Sequence, residues 1–215
     1  MGFINNLFSK RKIPGGYIVY FQLESFWEES FSNEEREYIT DTFIPMEMGS
    51  TNPPKRILTE GSISYTSESA ATFLSNLAGW FDNPKDRDIS KRFIEKSLSL
   101  LEESNNLVDL HYALSSAITI YYKERGDTLV MQKIIDLCYR QIEISKKVIP
   151  DLRKELYLTK KEPLPTHKGY EQLAVILKKQ KNFKEVIQIC EKAKKEGWAG
   201  NWDKRIEYAN KKLSF

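Results

Sequence analysis

Residues 167–200 carry the clearest signal of the fold, and they read HKGYEQLAVILKKQKNFKEVIQICEKAKKEGWAG. Their apolar residues recur at spacings of three and four, which predicts amphipathic helices at about 167–180 and 182–197. Asn182 followed by Glu185 has the spacing of a helix N-cap with an acid in the first turn. The same apolar spacing predicts one further helix over 201–213. The C-terminal part of the chain is therefore predicted to be a helical hairpin followed by a single helix.

Nine residues of this hairpin stand at the positions of a known repeat pattern. They are Tyr170, Leu173, Ala174 and Leu177 in the first helix, Asn182 and Phe183 at the turn, and Val186, Cys190 and Ala193 in the second helix. The pattern resembles a tetratricopeptide repeat, a unit of two antiparallel helices. Ala174 is a small residue where the two helices of such a unit approach closely. Lys181 stands where the family usually has glycine, and Trp198 stands where proline often ends the unit.

Two weaker matches to the same repeat lie upstream. Residues 121–127, YYKERGD, resemble the end of its first helix and its turn, with one residue inserted. A second match has the expected spacing at Leu77, Ala78, Phe81, Ser90, Ile94 and Ser97. The resemblance covers about the last two thirds of the chain. It implies an all-α fold of irregularly stacked antiparallel hairpins, because one hairpin alone cannot bury its apolar face.

Glycine and proline divide the preceding sequence into helical segments. Gly126 separates two stretches of apolar periodicity, which are predicted as helices over 107–124 and 128–148. Pro150 is predicted to begin another helix, which Pro163 ends. The reason is that proline is tolerated in the first turn of a helix but disrupts its interior.

Capping residues mark two further helix starts. Ser32 and Glu35 have the form of a capping box, in which each residue bonds the backbone N–H of the other. Asn106 and Asp109 have the spacing of an N-cap with a first-turn acid. We therefore expect one helix to begin after Ser32 and to end near Pro45, and another to begin after Asn106.

The predicted domain organisation has three parts. Residues 1–16 form an N-terminal segment, and residues 17–66 form a helical cap with a loop at 46–65. Residues 67–215 form the helical-repeat domain, closed by a capping helix at 201–213. We expect the N-terminal cap to pack on the repeat domain, because the first hairpin would otherwise leave apolar side chains open to water.

The first residues of the chain form a unit of their own. In residues 1–12, Phe3, Ile4, Leu7 and Phe8 share one face of a short amphipathic helix, and three basic residues follow. Such a stripe is suited to press on a membrane surface or a partner. It is equally suited to pack as a terminal helix on its own domain. The sequence leaves these alternatives open.

The composition is that of a helical globular protein. The chain has 215 residues, of which 40% are hydrophobic and 29% charged, with 10 glycines and 8 prolines. A chain of this length buries a core without the help of disulfides. Accordingly, Cys138 and Cys190 are interpreted as small buried hydrophobic residues. The sequence has no membrane-spanning run and no signal-peptide pattern, so we expect a cytoplasmic protein.

The sequence motifs of common enzymes are missing. The chain has no GxxxxGK[ST], GxGxxG, GxSxG, HExxH or CxxC motif. Five carboxylates are crowded within residues 28–37, but this stretch contains no histidine and lacks the spacing of a calcium-binding loop. Such a cluster is typical of a solvated helix face. The two histidines, His111 and His167, stand near predicted helix starts and are interpreted as hydrogen-bonded surface residues. We therefore expect no enzymatic activity, no cofactor and no metal site.

Positive charge is concentrated near the C-terminus. Residues 1–150 contain 17 basic and 21 acidic residues, whereas residues 151–215 contain 16 basic and 9 acidic residues. The lysines of the second region are interleaved with aromatic residues, as in some nucleic-acid-binding surfaces, but also with glutamates, as on solvated helices. Trp198 and Trp202 are interpreted as a hydrophobic clasp between the hairpin and the last helix. Nucleic-acid binding by this basic third is the alternative function.

The resemblance implies a protein that binds another polypeptide, as an adaptor or regulator. In such repeats the first helix of each hairpin lines an inner face, which holds an extended peptide or a helix. Lys123, Lys168 and Lys178 are predicted to bind carboxylates of the partner. The partner-binding residues carried over to this face are Ser75, Gly79, Ser116, Ile120, Lys123, Lys168, Glu171, Val175 and Lys178.

Overall fold

The fold of the chain is all-α, as predicted. A computed structural model describes residues 15–45, 56–102 and 104–214. These residues form ten α-helices and one pair of very short strands. The chain divides into two units, with the boundary between Ser69 and Ala70. The amphipathic segment predicted within residues 1–12 lies outside the described residues.

The described residues of the first unit form three short helices, which are α1 (Gly16–Tyr20), α2 (Glu24–Ser30) and α3 (Asn33–Thr42). The predicted capping box at the start of α3 is confirmed. Glu35 N donates to Ser32 Oγ at 3.2 Å, and Ser32 N donates to Glu35 Oε2 at 2.9 Å. Together these two bonds satisfy N–H groups that have no partner within the helix.

Part of the predicted loop is anchored to α1. The described residues 56–65 contain neither helix nor strand, as expected of a loop. However, the N–H groups of residues 15–18 donate to carbonyls of residues 57–61 at 2.6 to 3.2 Å. Gly16 has a φ of +54°, and a Cβ there would lie 1.9 Å from the Ile57 carbonyl oxygen. Only glycine fits this close approach of two backbones.

In the second unit, the described residues form seven helices. Each helix contacts the next, and α6 also contacts α4 and α8. The strands β1 and β2 pair in parallel. The last three helices lie within two residues of their predicted bounds. The elements are α4 (Ala70–Trp80), α5 (Arg87–Glu102), α6 (Leu107–Tyr122), α7 (Thr128–Glu155), β1 (Leu164–Thr166), α8 (Lys168–Lys179), α9 (Phe183–Glu196), β2 (Trp198–Ala199) and α10 (Trp202–Leu213).

The two predicted N-caps of this unit are confirmed. Asn106 Oδ1 accepts from Asp109 N at 3.0 Å at the start of α6. Asn182 Oδ1 accepts from Glu185 N at 3.4 Å at the start of α9. Both acids lie in the first turn of their helices, where the positive end of the helix dipole stabilises negative charge.

The prediction that Pro150 begins a helix is wrong, because α7 runs through it without interruption. Proline has no N–H to bond the carbonyl of Lys146, one turn earlier. Both Pro150 and Lys146 are exposed, so the missing hydrogen bond lies on the solvent side of the helix. Val148 and Leu152 on either side are fully buried, and their packing holds the helix together across the proline.

Candidate functional site

The predicted partner-binding residues of α8 form a continuous stripe. Lys168, Glu171 and Val175 are half-buried and Lys178 is exposed. Their spacing of three, four and three residues places them on one side of the helix. No hydrogen bond or ion pair joins the Lys168 side chain to another described residue. Its ammonium group therefore has no counter-ion among the residues described.

The predicted residues of α4 and α6 are less accessible. Gly79 and Lys123 are exposed and Ser116 is half-buried. By contrast, Ser75 is 8% exposed and Ile120 is 2% exposed, so these two offer almost no surface. Their sequence neighbours Asn76 and Thr119 are exposed instead. At these two positions the residue carried over from the resemblance is therefore buried, and only its neighbour reaches the surface.

Two of the three predicted carboxylate-binding lysines have partners within the second unit. Lys123 Nζ is ion-paired with the Asp82 carboxylate and donates to the Asp82 carbonyl oxygen at 3.1 Å. Lys178 Nζ lies 3.9 Å from the centre of the Tyr208 ring, a cation–π geometry. Lys168 is thus the lysine of the predicted set that is most available to a partner.

Two histidines and a tryptophan form a buried cluster in the second unit. The ring centres of His111 and His167 are 5.0 Å apart, and they lie 5.3 Å and 4.7 Å from the ring centre of Trp198. His111 is 2% exposed and His167 is 0% exposed. The interpretation of both as surface residues is therefore wrong. They are separated by 56 positions in the sequence, and no local pattern indicates that the fold brings them together.

Gln141 connects the three helices around this cluster. Its Nε2 on α7 donates to the His111 carbonyl oxygen at 2.8 Å and to Ser115 Oγ at 3.1 Å. Its Oε1 accepts from Gly169 N on α8 at 2.6 Å. A Cβ on Gly169 would lie 2.9 Å from this Oε1 and 2.9 Å from the Cys138 carbonyl oxygen. Glycine therefore allows α8 to approach α7 this closely.

His167 caps α8 with its imidazole ring. Its Nδ1 accepts from Tyr170 N at 3.3 Å, so in the neutral ring the proton resides on Nε2. This Nε2 is buried and has no hydrogen-bond partner among the described residues. It lies instead among aromatic rings.

Both imidazole rings are held neutral. Burial lowers the pKa of His111 to about 4. Burial, with a smaller contribution from nearby His111, lowers the pKa of His167 to about 3. Because the side chains are almost completely enclosed, a substrate has no access to either ring. The cluster is therefore a packing element of the second unit.

A single carboxylate oxygen ties four elements together beside this cluster. Glu196 Oε2 on α9 accepts from Ser145 Oγ on α7 at 2.7 Å, from Tyr170 OH on α8 at 3.0 Å and from Trp198 Nε1 on β2 at 3.0 Å. Trp202 Nε1 on α10 donates to the Trp198 carbonyl oxygen at 2.7 Å. Both tryptophans are buried, which confirms their interpretation as a clasp between the hairpin and the last helix.

The cysteines are buried, as predicted, and both are free thiols. Burial raises the pKa of the Cys138 thiol to about 12 and that of the Cys190 thiol to about 11, which disfavours the reactive thiolate. Within the described residues, no three His, Cys, Asp or Glu side chains are grouped so that they could hold a metal ion. In the same residues, no helix combines the length and the apolar character that crossing a membrane requires.

Comparison of the chain with known protein families, with curated protein sequences and with solved structures finds no match. The tetratricopeptide resemblance, and the function it implies, stay predictions.

Proposed function

We propose that this protein binds a segment of another polypeptide on the side of α4, α6 and α8 that carries the accessible stripes, and that it acts as an adaptor or regulator. One observation carries this proposal: α6 contacts both α4 and α8, so the three helices that carry the predicted residues are neighbours. The first helices of tetratricopeptide hairpins are neighbours in the same way. This contact pattern supports a stack of hairpins as the architecture of the second unit.

The segment that suits this surface is extended and carries carboxylates. Lys168 and Lys178 lie at the two ends of the α8 stripe, with Val175 between them as an apolar contact. Ten residues of helix span about 15 Å, which corresponds to roughly four or five residues of extended chain. Lys168 has no described counter-ion, so a carboxylate of the partner can bind it without displacing another one.

A random peptide library displayed on phage, selected against the full-length chain, tests this proposal. We expect enrichment of acidic peptides whose affinity falls at least tenfold in Lys168→Glu and in Val175→Asp. The control is Lys147→Glu, because Lys147 is an exposed lysine on α7, outside the surface. Lys123→Glu is a poorer test, since it also breaks the ion pair with Asp82.

Two results would contradict the proposal. One is a selection that enriches no peptide. The other is an enriched peptide whose affinity falls as much in Lys147→Glu as in Lys168→Glu, because its binding then reflects the overall charge of the chain.

A further inference from the structure

Six lysines gather at one end of the last three helices. At this end α8 finishes, α9 begins and α10 finishes, since the ring of Phe183 at the start of α9 contacts Tyr208 in the second half of α10. All six are exposed. We call this group the lysine end, and it consists of Lys178, Lys179, Lys181, Lys184, Lys211 and Lys212.

An aromatic ring lies among these lysines. Tyr208 is 39% exposed, and its ring centre lies 3.9 Å from Lys178 Nζ and 6.0 Å from Lys212 Nζ. Phe183 meets the same ring edge to face at 6.2 Å. The lysine end therefore combines positive charge with an accessible aromatic side chain.

Few acidic groups offset this charge. Residues 178–185 and 207–212 contain two acids, Glu185 and Glu207. Glu207 is paired with Lys211 at 2.7 Å. Glu185 accepts hydrogen bonds from the side chains of Tyr139 and Asn182. Most of the positive charge of the lysine end is left unneutralised.

Helix electrostatics explain four of these lysines but not the other two. Lys178, Lys179, Lys211 and Lys212 lie in the last turns of α8 and α10, where the negative end of the helix dipole stabilises cations.

Lys181 and Lys184 stand at positions that the local structure disfavours. Lys181 has a φ of +60°, the left-handed conformation in which a side chain is strained and glycine is preferred. Lys184 lies in the first turn of α9, where the positive end of the dipole opposes a cation. Because folding alone does not favour lysine at these two positions, their lysines indicate a role other than stabilising the fold.

We propose that the lysine end binds single-stranded nucleic acid. The lysines contact successive phosphates, and Tyr208 stacks on a base when Lys178 moves from its ring to a phosphate. The exposed ring favours this partner over an acidic peptide, because every base has a face on which an aromatic ring can stack. The site overlaps the proposed polypeptide surface only at Lys178.

Fluorescence anisotropy of the full chain with labelled 12-nucleotide single-stranded RNA and DNA tests the proposal. Three or four phosphate contacts predict an affinity that falls about 20- to 50-fold between 50 and 200 mM KCl. We expect the double variant Lys181→Glu, Lys184→Glu to bind at least tenfold more weakly. Tyr208→Ser is expected to lower the affinity about fivefold or more while the salt dependence stays unchanged. Lys147→Glu on α7 is the control, with an expected change of less than twofold.

Three outcomes would overturn the proposal. The first is no anisotropy change with either strand at 50 mM KCl. The second is displacement of the oligonucleotide by an equal concentration of a 12-residue polyglutamate, which would assign the lysine end to acidic peptides. The third is the finding that Tyr208→Ser does not change the affinity and that duplex DNA binds as tightly as single strands. Binding would then reflect non-specific charge attraction. A preference for RNA or for DNA supports the proposal and identifies the strand.

Discussion

The two ends of helices α8, α9 and α10 are built on opposite principles. At one end, where α8 begins and α9 finishes, His167, Tyr170 and Trp198 are buried and Glu196 joins four elements. At the other end, six exposed lysines surround a partly exposed tyrosine. The buried contacts of the first end hold the three helices in place. The second end is then free to carry side chains that folding does not require.

We call the end where α8 begins and α9 finishes the buried end. Removing the Trp198 ring at this end is expected to have the largest effect on stability. Trp198→Ala removes the ring that both histidines contact, and it removes the Nε1–H that donates a hydrogen bond to Glu196. Large-to-small substitutions of this kind lower the free energy of unfolding by about 3–5 kcal/mol. Urea unfolding of the full chain measures the change. Lys212→Ala at the lysine end is the control, with an expected change within about 0.5 kcal/mol.

A fall in pH is expected to have the second largest effect on stability, through the two buried histidines. The folded pKa values of His111 and His167, about 4 and about 3, lie below the unfolded value of 6.5. The unfolded chain therefore binds more protons, and stability falls as the pH drops below 6.5. At pH 5, 1.5 units below that value, each histidine lowers the free energy of unfolding by about 2 kcal/mol.

A variant without one imidazole checks this assignment. His111→Phe keeps an aromatic ring against Trp198 but cannot bind a proton. We expect it to remove about half of the stability loss between pH 7 and pH 5, measured by urea unfolding at both values. An unchanged loss would show that other groups are responsible.

Neutralising the shared carboxylate is expected to have a smaller effect. Glu196→Gln keeps an oxygen acceptor for Ser145, Tyr170 and Trp198 but removes its charge. Because hydrogen bonds to charged groups are stronger, we expect a loss of about 1 kcal/mol. Glu207→Gln, at the exposed pair with Lys211, is the matched control and should change stability by less than about 0.5 kcal/mol. Equal effects in thermal unfolding would contradict the contrast between the two ends.

The helices that form the lysine end were largely predictable from sequence. The bounds of α8, α9 and α10 follow from apolar spacing, and the caps at Asn106 and Asn182 follow from side chains that bond N–H groups three residues later. Such contacts are local, so a single stretch of sequence contains all the information. The excess of lysine in the C-terminal third was equally visible, although its concentration at one end was not.

The buried end was not predictable, because its contacts join distant segments. Nothing near His111 indicates that His167 will lie 5.0 Å from it, and nothing near Glu196 indicates Ser145 as a partner. The continuation of α7 through Pro150 has the same cause, since tertiary packing outweighs the local preference of proline. The buried positions of Ser75 and Ile120 depend in turn on how neighbouring helices pack.

The last prediction separates folding from function at a single residue. Lys181 follows α8 with a φ of +60°, and Tyr157 follows α7 with a φ of +54°. Replacing either by glycine removes the strain of a left-handed side chain, and we expect each variant to be about 1 kcal/mol more stable. For a chain of this size the melting temperature should rise by about 2–4 °C.

Only one of these two variants should affect nucleic-acid binding. Lys181→Gly removes a charge from the lysine end, so it should weaken oligonucleotide binding. The slope of log affinity against log salt concentration should become less steep by about 0.7. Tyr157→Gly changes the same kind of backbone position at 94% exposure without removing a charge, so it should leave the affinity unchanged. If Lys181→Gly gains stability and keeps full affinity, Lys181 contacts no phosphate. If it loses stability, the strain inferred from its backbone conformation is absent.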